Sequence, residues 1–250
     1  MSVIKEFLKT YLKPHLIRSG ILLTRNMRYD RQAWLIMKRI LRKDDACVDV
    51  GCHKGELMDW MLQLSPEGKH TGFEPIPSLF KNLQSKYGSK VKLYNCALGK
   101  EQGEANFQVV KDAPAYSGLK KRKYLVENPK IEEVHVKVET LDNLFAAQQS
   151  LKLLKVDVEG GEFDVLSGGK ALILRCRPYV LFEFGLGSAE FYGSGPELMF
   201  DLLQEVKLNV FCLSDFLANA APLEKSAFVQ HFQLGSEYYF IAAPVESATN

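Results

Sequence analysis

A short apolar run ends in Asp49-Val50-Gly51-Cys52-His53-Lys54-Gly55 and gives way at once to an amphipathic stretch. Gly51 and Gly55 permit a tight turn and a close approach of backbone to a ligand at a helix N-terminus. Downstream, short apolar runs keep alternating with amphipathic segments, which is how a parallel sheet covered by helices is written in sequence. The pattern predicts strands at 46–50, 70–73, 91–96, 151–156, 179–184, 209–213 and 238–242, and helices at 56–64, 78–87, 141–148, 162–167 and 196–206. The interval between the third and fourth strands is longer than one crossover needs. Its alternating runs, 105–110 and 134–138, predict an antiparallel pair in an insertion spanning 106–138, near one end of the sheet. Between them, 112–130 reads as a surface loop with Pro114, Gly118, Pro129 and the run Lys120-Lys121-Arg122-Lys123.

A chain of 250 residues suits one α/β domain, or one domain with a short appendage. With 46% hydrophobic and 25% charged residues, disordered, collagen-like and disulfide-scaffold classes are disfavoured. The longest apolar stretch near the start, 16–23, is interrupted by Arg18, and Lys5, Lys9 and Lys13 break any secretory apolar core. The expected address is cytoplasmic. The five cysteines form no C-x-x-C pair and are expected to be reduced; Cys52 and Cys96 fall in pocket-forming segments.

Charge is unevenly spread. Residues 1–43 hold eleven Lys or Arg against Glu6 and Asp30, a net +9, which leaves −7 for residues 44–250. The arm carries helical spacing at 3–12 and again from about Arg31, where a second helix is expected to pack on the main domain as an entry helix. Its charge is that of a solvated face, or of an arm touching phosphates or an anionic membrane surface.

The glycine turn lacks the second glycine of G-x-G-x-x-G, since His53 stands there, and there is no G-x-x-x-x-G-K-[S/T]. A ligand with a ribose but no phosphate fits best. Glu74, in Phe73-Glu74-Pro75, follows the second strand nineteen residues past Gly55, where an acid can accept both hydroxyls of a ribose diol. S-adenosylmethionine offers that diol, plus an amino-acid tail for Asp49 and the turn. Asn95, in Asn95-Cys96-Ala97-Leu98-Gly99, has a carboxamide that can pair with an adenine edge.

The fourth strand delivers Lys155-Val156-Asp157-Val158-Glu159-Gly160-Gly161-Glu162 to the carboxyl edge of the sheet, so Asp157 and Glu159 are expected to face the pocket. Lys155 shares a face with Asp157 and is either a structural partner of a carboxylate or a catalytic group. Glu183, ending the apolar fifth strand, either meets a cation such as Lys155 or lines the site. The glycine-rich stretch 185–195, with Phe191 and Tyr192, is a simple connection or a loop over the acceptor.

In this order, Val48-Asp49-Val50-Gly51, Phe73-Glu74-Pro75, Asn95 to Gly99, Glu139-Thr140-Leu141-Asp142, Lys155 to Glu162 and Arg177-Pro178 resemble the FkbM-type S-adenosylmethionine-dependent methyltransferases. The resemblance runs from about Ala46 to Gly185. It implies a class I methyltransferase, Rossmann-like sheet of seven strands with a reversed last strand, and O-methylation of a hydroxyl on a sugar, glycan or secondary metabolite. It also places Ser117 in the pocket-side insertion. His53 departs from the asparagine common in that turn. The cofactor set is then Asp49, Gly51, His53, Gly55, Glu74, Asn95 and Asp157, and the candidate bases are Asp157, Glu159 and Glu183. No metal is expected. Competing readings are an NAD-type oxidoreductase and a nucleic-acid binder or modifier using the basic arm, with peripheral membrane contact by the arm as a related expectation for a glycolipid acceptor.

Overall fold

The computed structural model describes residues 24–120 and 129–245. The predicted arm helix at 3–12 and the Lys121-Arg122-Lys123 part of the basic run lie outside the described residues. The main sheet has seven strands in the order β3-β2-β1-β7-β8-β10-β9. They are β1 (Cys47–Val50), β2 (His70–Phe73), β3 (Val91–Tyr94), β7 (Leu153–Val156), β8 (Tyr179–Glu183), β9 (Leu208–Cys212) and β10 (Tyr239–Pro244). All seven predicted strands are present. The first five run parallel, and β10 is antiparallel to both neighbours. This is the class I arrangement with its last strand reversed.

Strand alternation divides the core into two layers, because successive side chains leave opposite faces. Val48, Val50, Leu154, Val156, Val180, Phe182 and Phe240 pack on one face. Against them lie α5 (Glu162–Ser167), α6 (Lys170–Cys176), α7 (Pro196–Glu205) and α9 (Lys225–Leu234). Cys47, Leu153, Leu181 and Ile241 point the other way. They meet α1 (Arg25–Ile40), α2 (Glu56–Leu64), α3 (Pro77–Tyr87) and the one-turn α8 (Leu213–Leu217). No described helix is long and apolar enough to cross a membrane.

The entry helix starts about six residues earlier than its spacing predicted, since Thr24 caps it by accepting the Met27 N–H at 3.2 Å. Ala33, Ile36 and Met37 bury it in the same layer as Met58 and Met61 of α2. The inserted pair is antiparallel, β5 (Gly103–Val110) with β6 (Ile131–Glu139), but forms a separate sheet with β4 (Ala97–Leu98) over its own small core. The helix predicted at 141–148 stops after one turn, α4 (Leu141–Leu144). The sequence reading missed α6, α8 and α9, of which α8 is only five residues long.

Candidate active site

The carboxyl ends of β1, β2, β7 and β8 open into a cavity of about 1020 Å³ that is also lined by the insertion, the start of α1 and the start of β10. That volume is at the upper end for small-molecule sites, with room for a cofactor and an acceptor together. Asp49, Gly51, His53, Glu74, Asp157, Glu159 and Glu183 all line it.

The turn after β1 is built on left-handed backbone. Gly51 has φ +81°, and a Cβ there would lie 2.0 Å from the Asp157 carbonyl oxygen, so β1 and β7 approach closely only with glycine. His53 is also left-handed, at φ +50°. Histidine is among the non-glycine residues enriched in that region, so the turn accommodates it there. Gly55 closes the turn as the N-cap of α2, and the Tyr87 hydroxyl donates to its carbonyl at 2.7 Å.

Glu74 is 4% exposed and makes the β2 end part of the same turn. Its Oε2 accepts the His53 N–H at 2.8 Å and its Oε1 the Ile76 N–H at 2.9 Å. Burial pushes the carboxyl up to about 7, against the pull of those two donors and of Lys155. Each oxygen retains a second lone pair for a ligand donor. Asn95 is placed differently from its expected role. It is exposed, its amide donates to the carbonyls of Glu74 at 2.8 Å and Pro75 at 3.0 Å, and the next residue, Cys96, lines the cavity instead. Asn95 therefore fixes the turn that carries Glu74.

Asp49 and Lys155 are cross-strand partners on β1 and β7, 1% and 3% exposed. The Lys155 ammonium lies 3.1 Å from Asp49 Oδ1 and 3.7 Å from Asp157 Oδ2, and donates to the Gly51 carbonyl at 2.8 Å. Burial alone would lower this ammonium, but Asp49 and Asp157 outweigh it and hold it above its usual range. Lys155 thus pairs with carboxylates. Asp49 Oδ2 is buried in the cavity wall with no hydrogen-bond partner among the described residues. Such an atom costs free energy unless a ligand donor meets it.

Beyond β7, Glu159 takes φ +62° and Glu162 ties the turn together, its Oε1 accepting the N–H groups of Val158 at 2.9 Å and Gly160 at 3.1 Å. Burial pushes Glu162 up to about 7. Tyr192 lines the cavity, and its hydroxyl accepts the Lys120 N–H at 3.1 Å, joining the 185–195 stretch to the insertion. Phe191 is 45% exposed and lies outside the lining. Ser117 lines the cavity from the insertion. All five cysteines are free, and burial holds the Cys52 thiol well above its usual range. Among the described residues no three His, Cys, Asp or Glu side chains gather to hold a metal ion.

The sequence reading did not anticipate Asp30, Tyr238 and Tyr239 in the lining. A signal existed for Asp30, which shares the +9 arm with Glu6 as its only other acid.

The family model for the methyltransferase FkbM domain matches residues 49–209. The chain belongs to this family. Relatives of the chain include Methyltransferase 1 of Beauveria bassiana (strain ARSEF 2860), 31% identical over 145 residues, covering 50% of this chain and 58% of that protein. The 2-O-methyltransferase NoeI of Sinorhizobium fredii (strain NBRC 101917 / NGR234) is 24% identical over 188 residues, covering 70% and 72%. The crystal structure of an FkbM methyltransferase from Methylobacillus flagellatus KT superposes with a TM-score of 0.50 at 13% identity, over 81% of this chain and 44% of that one; it bears on the fold. The chain thus spans little more than half of the Beauveria relative and less than half of the Methylobacillus one. The cofactor of the FkbM family is S-adenosylmethionine. The residues present fit it, with an unmatched Asp49 oxygen for an ammonium and a buried Glu74 for a diol.

Proposed function

We propose that this protein is an S-adenosylmethionine-dependent O-methyltransferase acting on a hydroxyl of a sugar, glycan or secondary metabolite. The observation that carries this reading is the unmatched Asp49 oxygen, which shares one cavity with Glu74 and with the acids ending β7 and β8. Asp49 and the Gly51 turn would hold the amino-acid tail of the cofactor, and Glu74 its ribose. When bound, S-adenosylmethionine supplies a methyl group activated on a sulfonium. The chain itself aligns the acceptor oxygen, an effect worth roughly 7–11 kcal/mol, and takes up the hydroxyl proton on Asp157, Glu159 or Glu183. The printed name of the NoeI relative, a 2-O-methyltransferase, supports oxygen as the methylated atom.

Calorimetry with S-adenosylmethionine, followed by mass spectrometry of hydroxyl acceptors for one added methylene, tests the proposal. Asp157→Asn, Glu159→Gln and Glu183→Gln are each to be compared with the wild type. The base among them is expected to lose about a hundred-fold to ten-thousand-fold in turnover with cofactor affinity nearly intact. No cofactor binding, or unchanged turnover in all three, overturns it.

A further inference from the structure

We infer that Tyr87, at the C-terminal end of α3, is a positioning residue for cofactor binding: its hydroxyl holds the Gly55 peptide in the conformation in which the turn after β1 receives S-adenosylmethionine. The inference rests on the reading of that turn as the cofactor's seat. Tyr87 belongs to none of the motifs that carry the family resemblance and does not line the cavity, so it acts through the turn and not on the ligand.

Backbone donors close the turn. The His53 N–H donates to Glu74 Oε2 at 2.8 Å, the Gly55 N–H to the Cys52 carbonyl at 2.7 Å and the Asp59 N–H to the Gly55 carbonyl at 2.9 Å. At their centre Gly55 sits at φ +77°. Glycine populates both signs of φ about equally, so this residue type does not by itself commit the chain to that conformation. The commitment comes from α3. The Tyr87 ring is 5% exposed, in the same core layer as Leu83 and as Met58 and Met61 of α2. Its oxygen lies 2.7 Å from the Gly55 carbonyl and 2.8 Å from Asp59 Oδ1, so its one proton is shared between two acceptors. A Cβ on residue 55 would lie 2.1 Å from that oxygen, so the hydroxyl comes this close only because residue 55 is glycine. Glycine shapes the turn, and Tyr87 removes the freedom that glycine brings.

Lys86 adds a second contact from α3, donating to the Lys54 carbonyl at 3.1 Å and to Asp59 Oδ2 at 2.6 Å. The Lys86 and Asp59 side chains are 39% and 46% exposed, and an exposed ion pair contributes little. The buried hydroxyl therefore carries the restraint. A ligand's apparent affinity falls in proportion to the fraction of protein in the competent conformation. Losing one buried hydrogen bond shifts such an equilibrium by about threefold to tenfold. Tyr87→Phe keeps the ring, and the Gly55 carbonyl keeps the Asp59 N–H, so the variant strands no backbone acceptor.

The test is calorimetry with S-adenosylmethionine on the full chain, with residue-resolved amide exchange of His53, Gly55 and Asp59. Tyr87→Phe is expected to bind about threefold to tenfold more weakly, with the three amides exchanging faster in the free protein and returning to the wild-type rate at saturating cofactor. The control is Ser65→Ala. Ser65 ends the same helix at its far end, where its hydroxyl donates to the Arg42 carbonyl, so this variant is expected to melt lower while binding within about twofold of wild type. A smaller loss than threefold in Tyr87→Phe, or an equal loss in Ser65→Ala, overturns the inference. Should Tyr87→Phe not fold, the wild type decides: the three amides are expected to be protected before cofactor is added, and rapid exchange there, slowed only by cofactor, overturns a turn held in advance. If the underlying reading is what fails, the wild type binds no S-adenosylmethionine at all.

Discussion

The backbone N–H of His53 donates to Glu74 Oε2 at 2.8 Å, so the turn after β1 and the acid after β2 hold each other in place. Because burial sets Glu74 at about 7, its charge changes across the neutral range. Only the carboxylate offers acceptors on both oxygens to a diol. Affinity for S-adenosylmethionine is therefore expected to fall as pH drops from about 8 to about 6, by as much as about tenfold per pH unit below the pKa. Glu74→Gln is expected to bind more weakly and with little dependence on pH. Calorimetry across this range measures both, and a wild-type affinity that is flat with pH would contradict the role given to Glu74.

Lys155 is the counter-ion that makes a buried Asp49 tolerable. Lys155→Met is expected to cost about 3–5 kcal/mol of stability, since it strands a buried carboxylate. Adding Asp49→Asn to that variant is expected to restore most of the stability and none of the cofactor affinity. Denaturant melts and calorimetry on the single and double variants separate the two effects.

Gly51→Ala places a methyl group 2.0 Å from the Asp157 carbonyl oxygen on a backbone with φ +81°. Gly235 is also left-handed, at φ +58°, but has open space around it. Gly235→Ala is expected to cost roughly 1–2 kcal/mol, the conformational penalty alone. Gly51→Ala is expected to cost more and to abolish cofactor binding. Equal losses of stability in the two variants would refute the close approach of β1 to β7.

Glu162 is raised to about 7 by burial, so the stability it contributes is present below its unfolded pKa and lost as pH rises through about 7. Glu162→Gln keeps an acceptor for the Val158 and Gly160 N–H groups and removes the ionisation. At pH above 8 the variant is expected to be as stable as the wild type or more so, by on the order of 1–3 kcal/mol. Thermal melts at acidic and alkaline pH check the crossover, with Glu162→Ala as the variant that loses the hydrogen bonds as well.

The sheet was legible because its inner strands are mostly buried on both faces and bounded by glycine, proline and polar residues, as in 46–50 and 179–184. The helices that escaped notice have local reasons. In α9, Phe228 and Phe232 share the buried face, but no side chain caps the helix at Glu224. In α6, Gly168-Gly169 reads as the end of one helix, while the structure starts another there. This part of the cavity lining was legible for the same reason as the sheet, since strand ends and glycine turns place Asp49, Glu74 and Asp157 together. Asn95 shows where that logic stops. A carboxamide after a strand can face a ligand or a carbonyl, and only the path of 74–75 decides which. Asn26 and Tyr238 meet across more than two hundred residues, and no local pattern encodes such a meeting.

Among the described residues the last strand, β10, is also an inner one. Since β10 supplies the strand between β8 and β9, a nascent chain that has not yet emitted residues 239–244 has β8 as a bare edge and β9 with no neighbour in the sheet. Until then the exposed edge invites pairing with another molecule, so shortening this protein from its C-terminal side is a route to aggregates rather than to a smaller enzyme.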